Sequence, residues 1–353
     1  MAERRGTKRW AARALGFATL FALATPILAG AARAQSVEEF YKDKTITLFV
    51  GSGVGGSYDM YARLLVPYLS KHLPGNPTVV VKLMLGGGGG LPTAIHMQRT
   101  APRDGTAIGM TQQTIVVAQL IESVAAGKYD VNTWGWIGLM APIRNMLALW
   151  HTAPAQTLEE AREKEVIVGS MGRTSPTYIV PRVLNEIHGT KFKIVTGYNG
   201  ISGLNVAMER GEIQGRGASW LSVVTATPHY ITEKKLKPIV FDGLTREPGF
   251  EDVPLLIELA KTEQQKQALT LISSSAEFGR AVFAAPETPA DRLAALRRAF
   301  DAAMKDPELL AEAKKRQMPI QPQTGEALQK VAARVTKAFP EAVAYARELQ
   351  GSK

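Results

Sequence analysis

A glycine-rich junction between a strand-like run and a helical pattern constrains this chain more than any other feature. Residues 46–50 form a β-branched and apolar run, residues 51–57 contain glycines and serines, and residues 61–69 then place apolar side chains at helical spacing. A strand that ends in glycines and begins a helix leaves unpaired backbone N–H groups at the positive end of a helix dipole. The junction therefore predicts a loop that binds an anion.

The first 34 residues are typical of a secretory signal. The segment starts with basic residues, continues with a mostly apolar stretch over Leu15–Leu28 and ends with Ala32-Arg33-Ala34 before Gln35. The apolar stretch is shorter than the ~20 residues that span a membrane. We therefore expect export to the periplasm with cleavage near Ala34–Gln35. Ordinary secretion is the favoured route, and Arg4-Arg5 leaves twin-arginine export as the alternative.

Composition narrows the class of protein. Removal of the signal leaves 319 of the 353 residues, which suffices for two domains, and removes +5 of the formal net charge of +10. The remaining chain is mildly basic and has no Lys/Arg block typical of a nucleic-acid arm. The sequence has no cysteine, and its five histidines lack metal-ligand spacing. We expect no nucleic-acid partner, no metal and no cofactor.

Strand-like runs alternate with helical patterns through most of the chain, which predicts βαβ units and an α/β fold with mainly parallel sheets. The predicted strands and helices lie near 45–50, 60–73, 78–84, 91–99, 107–111, 115–125, 166–168, 178–187, 194–196, 202–210 and 213–218. The last third predicts helices near 290–304, 307–316 and 325–348. The pattern indicates two similar α/β lobes followed by a helical tail.

Six loops rich in Gly, Ser, Thr and Asn follow predicted strands, and five of them precede predicted helices. In open α/β sheets, ligands bind beyond the carboxyl ends of the strands. Backbone N–H and hydroxyl donors suit a carboxylate. The candidate ligand-binding residues are Gly55, Gly56, Ser57, Tyr58, Asp59, Gly87, Gly88, Gly89, Gln112, Gln113, Thr114, Ser170, Gly172, Arg173, Thr174, Ser175, Tyr198, Gly200, Ser202, Ser219 and Trp220.

Several of these residues have alternative roles. Asp59 could cap the helix and order the loop without contacting a ligand. Arg173 suits a bidentate pair with a carboxylate, or a surface role. Arg216, on a predicted strand, is expected in an interlobe or buried ion pair. The glycine run from Gly86 to Gly90 suits a ligand loop, or a flexible hairpin.

Two enzymatic interpretations are weaker. Gly51-x-Gly53-x-x-Gly56 matches the dinucleotide fingerprint, but the acidic residue required about 20 positions on is absent from the end of the second predicted strand. Gly-x-Ser-x-Gly does not occur. A secreted hydrolase that uses Ser57 or Ser175 as its nucleophile remains the alternative function.

The chain resembles the substrate-binding proteins of tripartite tricarboxylate transporters, the Bug/TctC receptors, along the whole mature sequence. The family's Tyr-x-x-Lys-x-Ile opening, its Pro-Gly-Gly-x-x-Asp loop followed by Ala-Arg and its Pro-Gly-Ala-Gly-Gly loop are similar to segments 41–46, 54–63 and 85–90. Its Ala-Pro-x-Asp-Gly, Tyr-x-Gly and Asp-Val-Pro-Thr signatures are similar to segments 101–105, 198–200 and 252–255. No one of these motifs is specific, but their order along the chain is.

The resemblance implies a two-lobed periplasmic binding protein of type II-like topology with a ligand cleft between the lobes. It implies lobe I at 35–139 and 240–353, with the C-terminal helices, and lobe II at 140–239. The implied function is a non-enzymatic receptor that captures a di- or tricarboxylate or an aromatic carboxylate and delivers it to membrane permease subunits. A monomer is expected.

Overall fold

The computed structural model describes residues 35–351 except Leu85, Gly87 and Gly88. The predicted signal segment and the candidate residues Gly87 and Gly88 lie outside the described residues. From Ser36 onwards the chain forms one unit built around two β-sheets.

Eleven strands are found in the described part of the chain. They are β1 (Thr45–Val50), β2 (Thr78–Leu83), β3 (Ala107–Met110), β4 (Gly135–Leu139), β5 (Asn145–Trp150), β6 (Val166–Ser170), β7 (Phe192–Thr196), β8 (Gly215–Ser219), β9 (Leu236–Asp242), β10 (Ala281–Ala284) and β11 (Gln323–Thr324). The first sheet has the order β11-β4-β10-β3-β1-β2, and the second has the order β7-β6-β8-β5-β9. The chain therefore crosses between the sheets after β4 and again after β9.

The prediction of α/β lobes is confirmed, but the sheets are mixed rather than mainly parallel. The ladders β1–β2, β1–β3, β6–β7 and β6–β8 are parallel. The ladders of β10 with β3 and β4, of β11 with β4, and of β5 with β8 and β9 are antiparallel. The difference arises because β5 and β10 each enter a sheet directly after the chain has crossed from the other one, and both run against their neighbours.

The α-helices of the described residues mostly follow the predicted pattern. They are α1 (Val37–Tyr41), α2 (Ser57–His72), α3 (Leu91–Arg99), α4 (Ile115–Ile121), α5 (Glu160–Glu163), α6 (Pro176–His188), α7 (Gly200–Glu209), α8 (Trp220–Ala226), α9 (His229–Thr232), α10 (Glu263–Ser273), α11 (Ala290–Ala303), α12 (Pro307–Lys315), α13 (Gly325–Thr336) and α14 (Pro340–Leu349). Short 3₁₀ helices cover Leu256–Leu259 and Ser274–Phe278.

One helix predicted from the sequence is two separate helices in the structure. The single helix expected over 325–348 is divided into α13 and α14, with Pro340 at the first position of α14. A proline has no N–H to donate and disfavours helical backbone in the residue before it, so α13 ends and a new helix starts. The prediction of one continuous helix was wrong at this point.

The apolar faces of the sheets are covered by helices. In the first sheet, Ile46 and Leu48 of β1 are fully buried in one cluster with Leu65 of α2 and Phe300 of α11. In the second sheet, Met146 of β5 lies in a buried cluster that includes Leu204 of α7 and Val223 of α8. Among the described residues, no helix is long and apolar enough to span a membrane.

Each of the six candidate loops joins an observed strand to an observed helix. The first-sheet loops lie at β1–α2, β2–α3 and β3–α4, and the second-sheet loops lie at β6–α6, β7–α7 and β8–α8. Because these six strands end at their loops and the following helices begin there, the loops carry the amino ends of six helices.

Candidate functional site

Two adjoining cavities lie where the loops of the two sheets meet. The larger cavity has a volume of about 110 Å³ and is lined by Gly51, Ser52, Gly53, Met84, Gly86, Gly89, Gly90, Gln112, Met171, Gly197, Tyr198, Asn199 and Gly200. The smaller cavity has a volume of about 30 Å³ and is lined by Ser52, Gly56, Ser57, Tyr58, Gln112, Gln113, Ile143, Asn145, Met171, Pro176, Thr177, Ile201, Ala218, Ser219 and Ser222. Ser52, Gln112 and Met171 line both cavities, so the two form one continuous site.

The larger cavity is made mainly of backbone. Seven of its lining residues are glycines, drawn from the loops after β1, β2 and β7. Gly51 and Gly90 pack so closely that a Cβ on Gly51 would lie 2.6 Å from the Cα of Gly90. The absence of side chains here lets a small ligand approach the backbone closely. Among the described residues, no charged side chain lines this cavity.

The smaller cavity is made mainly of side chains. Tyr58 is 5% exposed, and its hydroxyl accepts a hydrogen bond from the backbone N–H of Gln113 at 3.0 Å and donates one to Oε1 of Gln113. Ser219 caps α8 by accepting from the N–H of Ser222 at 3.2 Å. The described residues that line the smaller cavity carry hydroxyl and amide groups, and none of them carries a carboxylate or a cationic group. Burial raises the pKa of Tyr58, so its phenol stays protonated.

The structure brings nine of the candidate residues to these cavities. The larger cavity is lined by Gly89, Tyr198 and Gly200, and the smaller cavity is lined by Gly56, Ser57, Tyr58, Gln113 and Ser219. Gln112 lines both cavities. The described candidates that line neither cavity are Gly55, Asp59, Thr114, Ser170, Gly172, Arg173, Thr174, Ser175, Ser202 and Trp220.

Asp59 orders the first loop from within. Its side chain is buried in the first turn of α2, where Oδ2 accepts the backbone N–H of Gly55 at 3.0 Å. Oδ1 accepts from Nε of the half-exposed Arg63 at 2.7 Å. A carboxylate in the first turn also interacts favourably with the helix dipole. This geometry fits the capping role that the sequence left open for Asp59.

Arg173 is engaged by the protein itself. Its guanidinium lies 3.5 Å from a carboxylate oxygen of the buried Glu122 and donates to the hydroxyl of Tyr178 and to the carbonyl of Gln350. It also lies over the ring of Tyr178, 5.2 Å from the centroid. These contacts tie the loop after β6 to α4 and to the end of α14.

Other candidates hold the two halves of the site together. The hydroxyl of Thr114, after β3, donates to the carbonyl of Thr174, after β6, at 2.6 Å. Ser175 donates to Oε1 of Gln112 at 3.3 Å. A Cβ on Gly89 would lie 2.5 Å from the carbonyl oxygen of Thr174. The loops of the first sheet therefore touch those of the second beside the cavities.

The remaining candidates have local roles. Ser170 accepts from the N–H of Gly172 at 3.1 Å, which closes a tight turn. Ser202 is exposed on α7. Trp220 packs edge-on against Phe250, with ring centroids 4.5 Å apart.

Arg216 departs from its expected environment. It is 1% exposed on β8, opposite Ala148 of β5, and its three guanidinium nitrogens have no hydrogen-bond partner among the described residues. Burial lowers its pKa to about 10. The prediction that it is buried is confirmed, whereas no carboxylate in the described part of the chain forms an ion pair with it.

Sequence reasoning missed Asn145 and Arg280, which lie at the amino ends of strands. Asn145 starts β5 and pairs with Ser219 at the carboxyl end of the antiparallel β8. Arg280 precedes β10, which runs antiparallel to β3. The rule that ligands lie at carboxyl ends of parallel strands gives no signal for such residues. Gly51, Ser52 and Gly53 were also missed as contacts, although they belong to the motif that located the loop.

In the described part of the chain, neither candidate nucleophile is paired with a histidine. Ser57 and Ser175 have no histidine hydrogen-bonded to them among the described residues, and no histidine lines either cavity. Within the described residues no cluster of three or more His, Cys, Asp or Glu could hold a metal ion. The arrangement offers hydrogen-bond donors, which suits recognition of an anion.

Comparison with known proteins identifies the class of fold. No family model matches the chain. The UPF0065 protein in gbd 5'region of Cupriavidus necator is 27% identical over 232 residues, which cover 64% of this chain and 67% of that protein. The solved periplasmic binding protein BugD has a TM-score of 0.66 at 20% identity and covers 88% of this chain and 98% of its own. MatC from Rhodopseudomonas palustris, with bound malate, has a TM-score of 0.63 at 18% identity, over 87% and 99% of the two chains.

The two sheets, their flanking helices and these structures together define the fold of the two-lobed periplasmic binding proteins. Within that class the neighbours are of the Bug/TctC type, and they confirm, at the level of the fold, the resemblance noted from the sequence motifs.

Proposed function

We propose that this protein is a periplasmic solute-binding receptor that captures a small organic carboxylate between its lobes and delivers it to permease subunits of a tripartite tricarboxylate transporter. In this proposal the chain is not an enzyme. The lobes are divided near residues 139 and 240, close to the two crossings between the sheets.

The observation that carries the proposal is the larger cavity, which is lined by glycine loops from both sheets and, among the residues that the structure describes, by no charged side chain. The first four N–H groups of a helix have no partner within the helix, and the helix dipole adds positive potential there. The β1–α2 and β2–α3 loops of one sheet and the β7–α7 loop of the other bring such groups to one place. A carboxylate is the small anion that this set of donors recognises.

Its size supports a small ligand. The larger cavity, at about 110 Å³, is well below the roughly 300–1,000 Å³ of sites for drug-sized molecules. A structural neighbour, MatC, was solved with malate bound. Small organic acids are therefore the first ligands to test.

The contacts across the cavity support a closing mechanism. The hydrogen bond from Thr114 to Thr174 and the packing of Gly89 on Thr174 join the loops of the two sheets beside the ligand site. A ligand that contacts both sets of loops favours the conformation in which they meet, and this differential affinity drives closure. The permease would then recognise the closed receptor.

The proposal is tested by a thermal-shift screen of small organic acids against the purified mature protein, followed by calorimetry. A ligand at 100 to 1,000 times its dissociation constant stabilises the folded state by roughly 2.7–4 kcal/mol. We expect at least one acid to reach this effect, while its methyl esters do not. The absence of stabilisation by every mono-, di-, tri- and aromatic carboxylate would contradict the proposal.

A pair of glycine variants locates the binding. Gly200 has a φ of +80° and a Cβ there would lie 3.4 Å from the Cα of Gly53, across the larger cavity. Gly203, on the same helix, has nothing within 4 Å of its Cβ position. We expect Gly200→Ala to weaken binding of the acid and Gly203→Ala to leave it unchanged. Equal affinity in both variants would move the ligand away from this cavity.

A further inference from the structure

The smaller cavity contains amide donors that no group of the described chain satisfies. Asn145 is 4% exposed and Gln113 is 1% exposed, and both line the cavity. Nδ2 of Asn145 and Nε2 of Gln113 have no hydrogen-bond partner among the described residues. A buried polar group without a partner destabilises the fold, because it loses its hydrogen bonds to water and gains none. Two such groups facing one cavity indicate that a partner enters it.

A buried guanidinium lies directly behind this cavity. Arg280 is 2% exposed; it donates to the carbonyl of Pro142 at 2.9 Å and to Oγ of Ser219 at 3.5 Å. Its charge lies 4.8 Å from the ring centroid of Tyr61 and 5.9 Å from that of Tyr58. Ser219 and Tyr58 both line the smaller cavity, so one residue separates the positive charge from the empty space.

No carboxylate of the described residues forms an ion pair with Arg280. Glu247, whose charge acts on Arg280 from a distance, is itself paired with Arg144 at 3.5 Å. Burial lowers the pKa of the Arg280 guanidinium, which shows how poorly its charge is compensated. A buried charge without a counter-ion is costly. A bound anion would supply the missing negative charge.

We propose that the smaller cavity is a subsite for a single carboxylate group, with the amides of Asn145 and Gln113 as its hydrogen-bond donors and Arg280 as its counter-charge. The ligand class rests on the proposed receptor function. The volume of about 30 Å³ agrees with this assignment, because one water needs roughly 10–15 Å³ on the same measure and a carboxylate presents two oxygens. The rest of the ligand lies in the larger cavity, beyond Ser52 and Gln112.

Arg280 in this assignment is a positioning and selectivity residue that acts through Ser219 and Tyr58. Opposite charges about 6 Å apart at an effective dielectric constant of about 20 attract each other enough to change binding about 100-fold. The charge therefore favours an ionised acid over its neutral amide. The polar side chains alone would discriminate much less.

The test uses formate, the smallest carboxylate, as the probe, with the mature protein and thermal unfolding at constant ionic strength. We expect formate to raise the melting temperature in a saturable way relative to chloride. Arg280→Gln should bind formate about 10- to 100-fold more weakly, whereas Arg280→Lys should retain part of the affinity. Arg216→Gln is the comparison variant, because it also removes a buried guanidinium that has no ion-pair partner among the described residues, but Arg216 does not line the cavity. Its loss of formate affinity should be clearly smaller than that of Arg280→Gln.

A second variant keeps the test decisive if Arg280→Gln fails to fold. Asn145→Asp conserves size but places a negative charge in the cavity, so it should abolish the formate response. The subsite is overturned if formate and chloride act alike on the wild type, or if the folded Arg280→Gln or Asn145→Asp variant keeps wild-type formate affinity. The organic-acid screen can succeed while this test fails, so the receptor function and the subsite are separable.

Discussion

The larger and smaller cavities adjoin each other but are built by different means. The larger cavity uses glycine backbone from loops at the carboxyl ends of β1, β2 and β7. The smaller cavity uses side chains, and its most distinctive lining residue, Asn145, stands at the amino end of an antiparallel strand. In the proposed receptor, backbone donors serve any carboxylate of suitable size, whereas side-chain donors and a buried charge select among ligands. On that proposal, the larger cavity captures an anion and the smaller cavity discriminates between anions.

The largest effect is expected where a glycine loop meets the opposite lobe. Gly89 has a φ of +63°, and a Cβ there would lie 2.5 Å from the carbonyl oxygen of Thr174. Gly89→Ala should lower the free energy of unfolding by roughly 2–5 kcal/mol, the sum of positive-φ strain and a clash with backbone, and should weaken binding. Chemical unfolding and calorimetry measure the two effects.

The control for Gly89 is Gly189, which follows α6. Its φ is +74°, but nothing lies within 4 Å of its Cβ position. Gly189→Ala should cost only the positive-φ strain of about 1–2 kcal/mol and should not affect binding. If both alanine variants lose the same stability, contact between the lobes does not depend on Gly89.

A smaller effect, an increase in the free energy of unfolding, is expected when Asp242 beside the smaller cavity is substituted. Asp242 pairs with Asn145 in the ladder between β9 and β5, is 1% exposed and accepts from the hydroxyl of Ser273 at 2.8 Å. Burial raises its pKa to about 6. Between about pH 4 and 6 the folded protein keeps a proton that the unfolded chain has released, so the free energy of unfolding falls as the pH rises through this window.

Asp242→Asn should remove this pH dependence while keeping an oxygen that accepts from Ser273. At pH 7 we expect the variant to be more stable by up to roughly 3 kcal/mol. Urea unfolding from pH 4 to 7.5 measures the difference, and Asp252→Asn on the surface controls for the change in net charge. Parallel pH profiles for the wild type and Asp242→Asn would show that the carboxyl group does not titrate in this window.

The smallest effect is expected at the loop that precedes α2. Asp59→Ala removes the acceptor for the N–H of Gly55 and a favourable charge at the helix start, so it should lower stability by about 1–2 kcal/mol and loosen the β1–α2 loop. Arg63→Ala removes only the half-exposed partner and should cost about 0.5 kcal/mol or less. Equal losses in the two variants would mean that the ion pair, and not the cap, orders the loop.

Much of the fold could be predicted because its signals are local. Period-two apolar runs, helical spacing and glycine junctions depend on neighbouring residues, and they located the strands before all six candidate loops and the helices after five of them, but not α8. The break at Pro340 was missed because the flanking residues favour helix on both sides. The mixed pairing of the sheets was missed because the residues of a strand do not determine whether it runs parallel or antiparallel to its neighbours.

The residues of the site also divide into those that a local sequence pattern predicts and those that it does not. A glycine loop is recognisable from the sequence, so Gly56, Gly89 and Gly200 were predicted to lie at the site, and they line its cavities. Arg173 is the reverse case, because it lies in a candidate loop but is engaged by Glu122 and Gln350, which are far from it in the chain.

The sequence by itself determined the α/β lobes and the positions of the glycine loops, because backbone geometry and helix ends follow from short-range residue patterns. Only the tertiary structure decided which donors share a cavity. Asn145 lines the smaller cavity and Arg280 lies behind it, because antiparallel strands bring their amino ends to the edge where the parallel strands end. That placement depends on how the chain crosses between the sheets, which is a property of the whole fold.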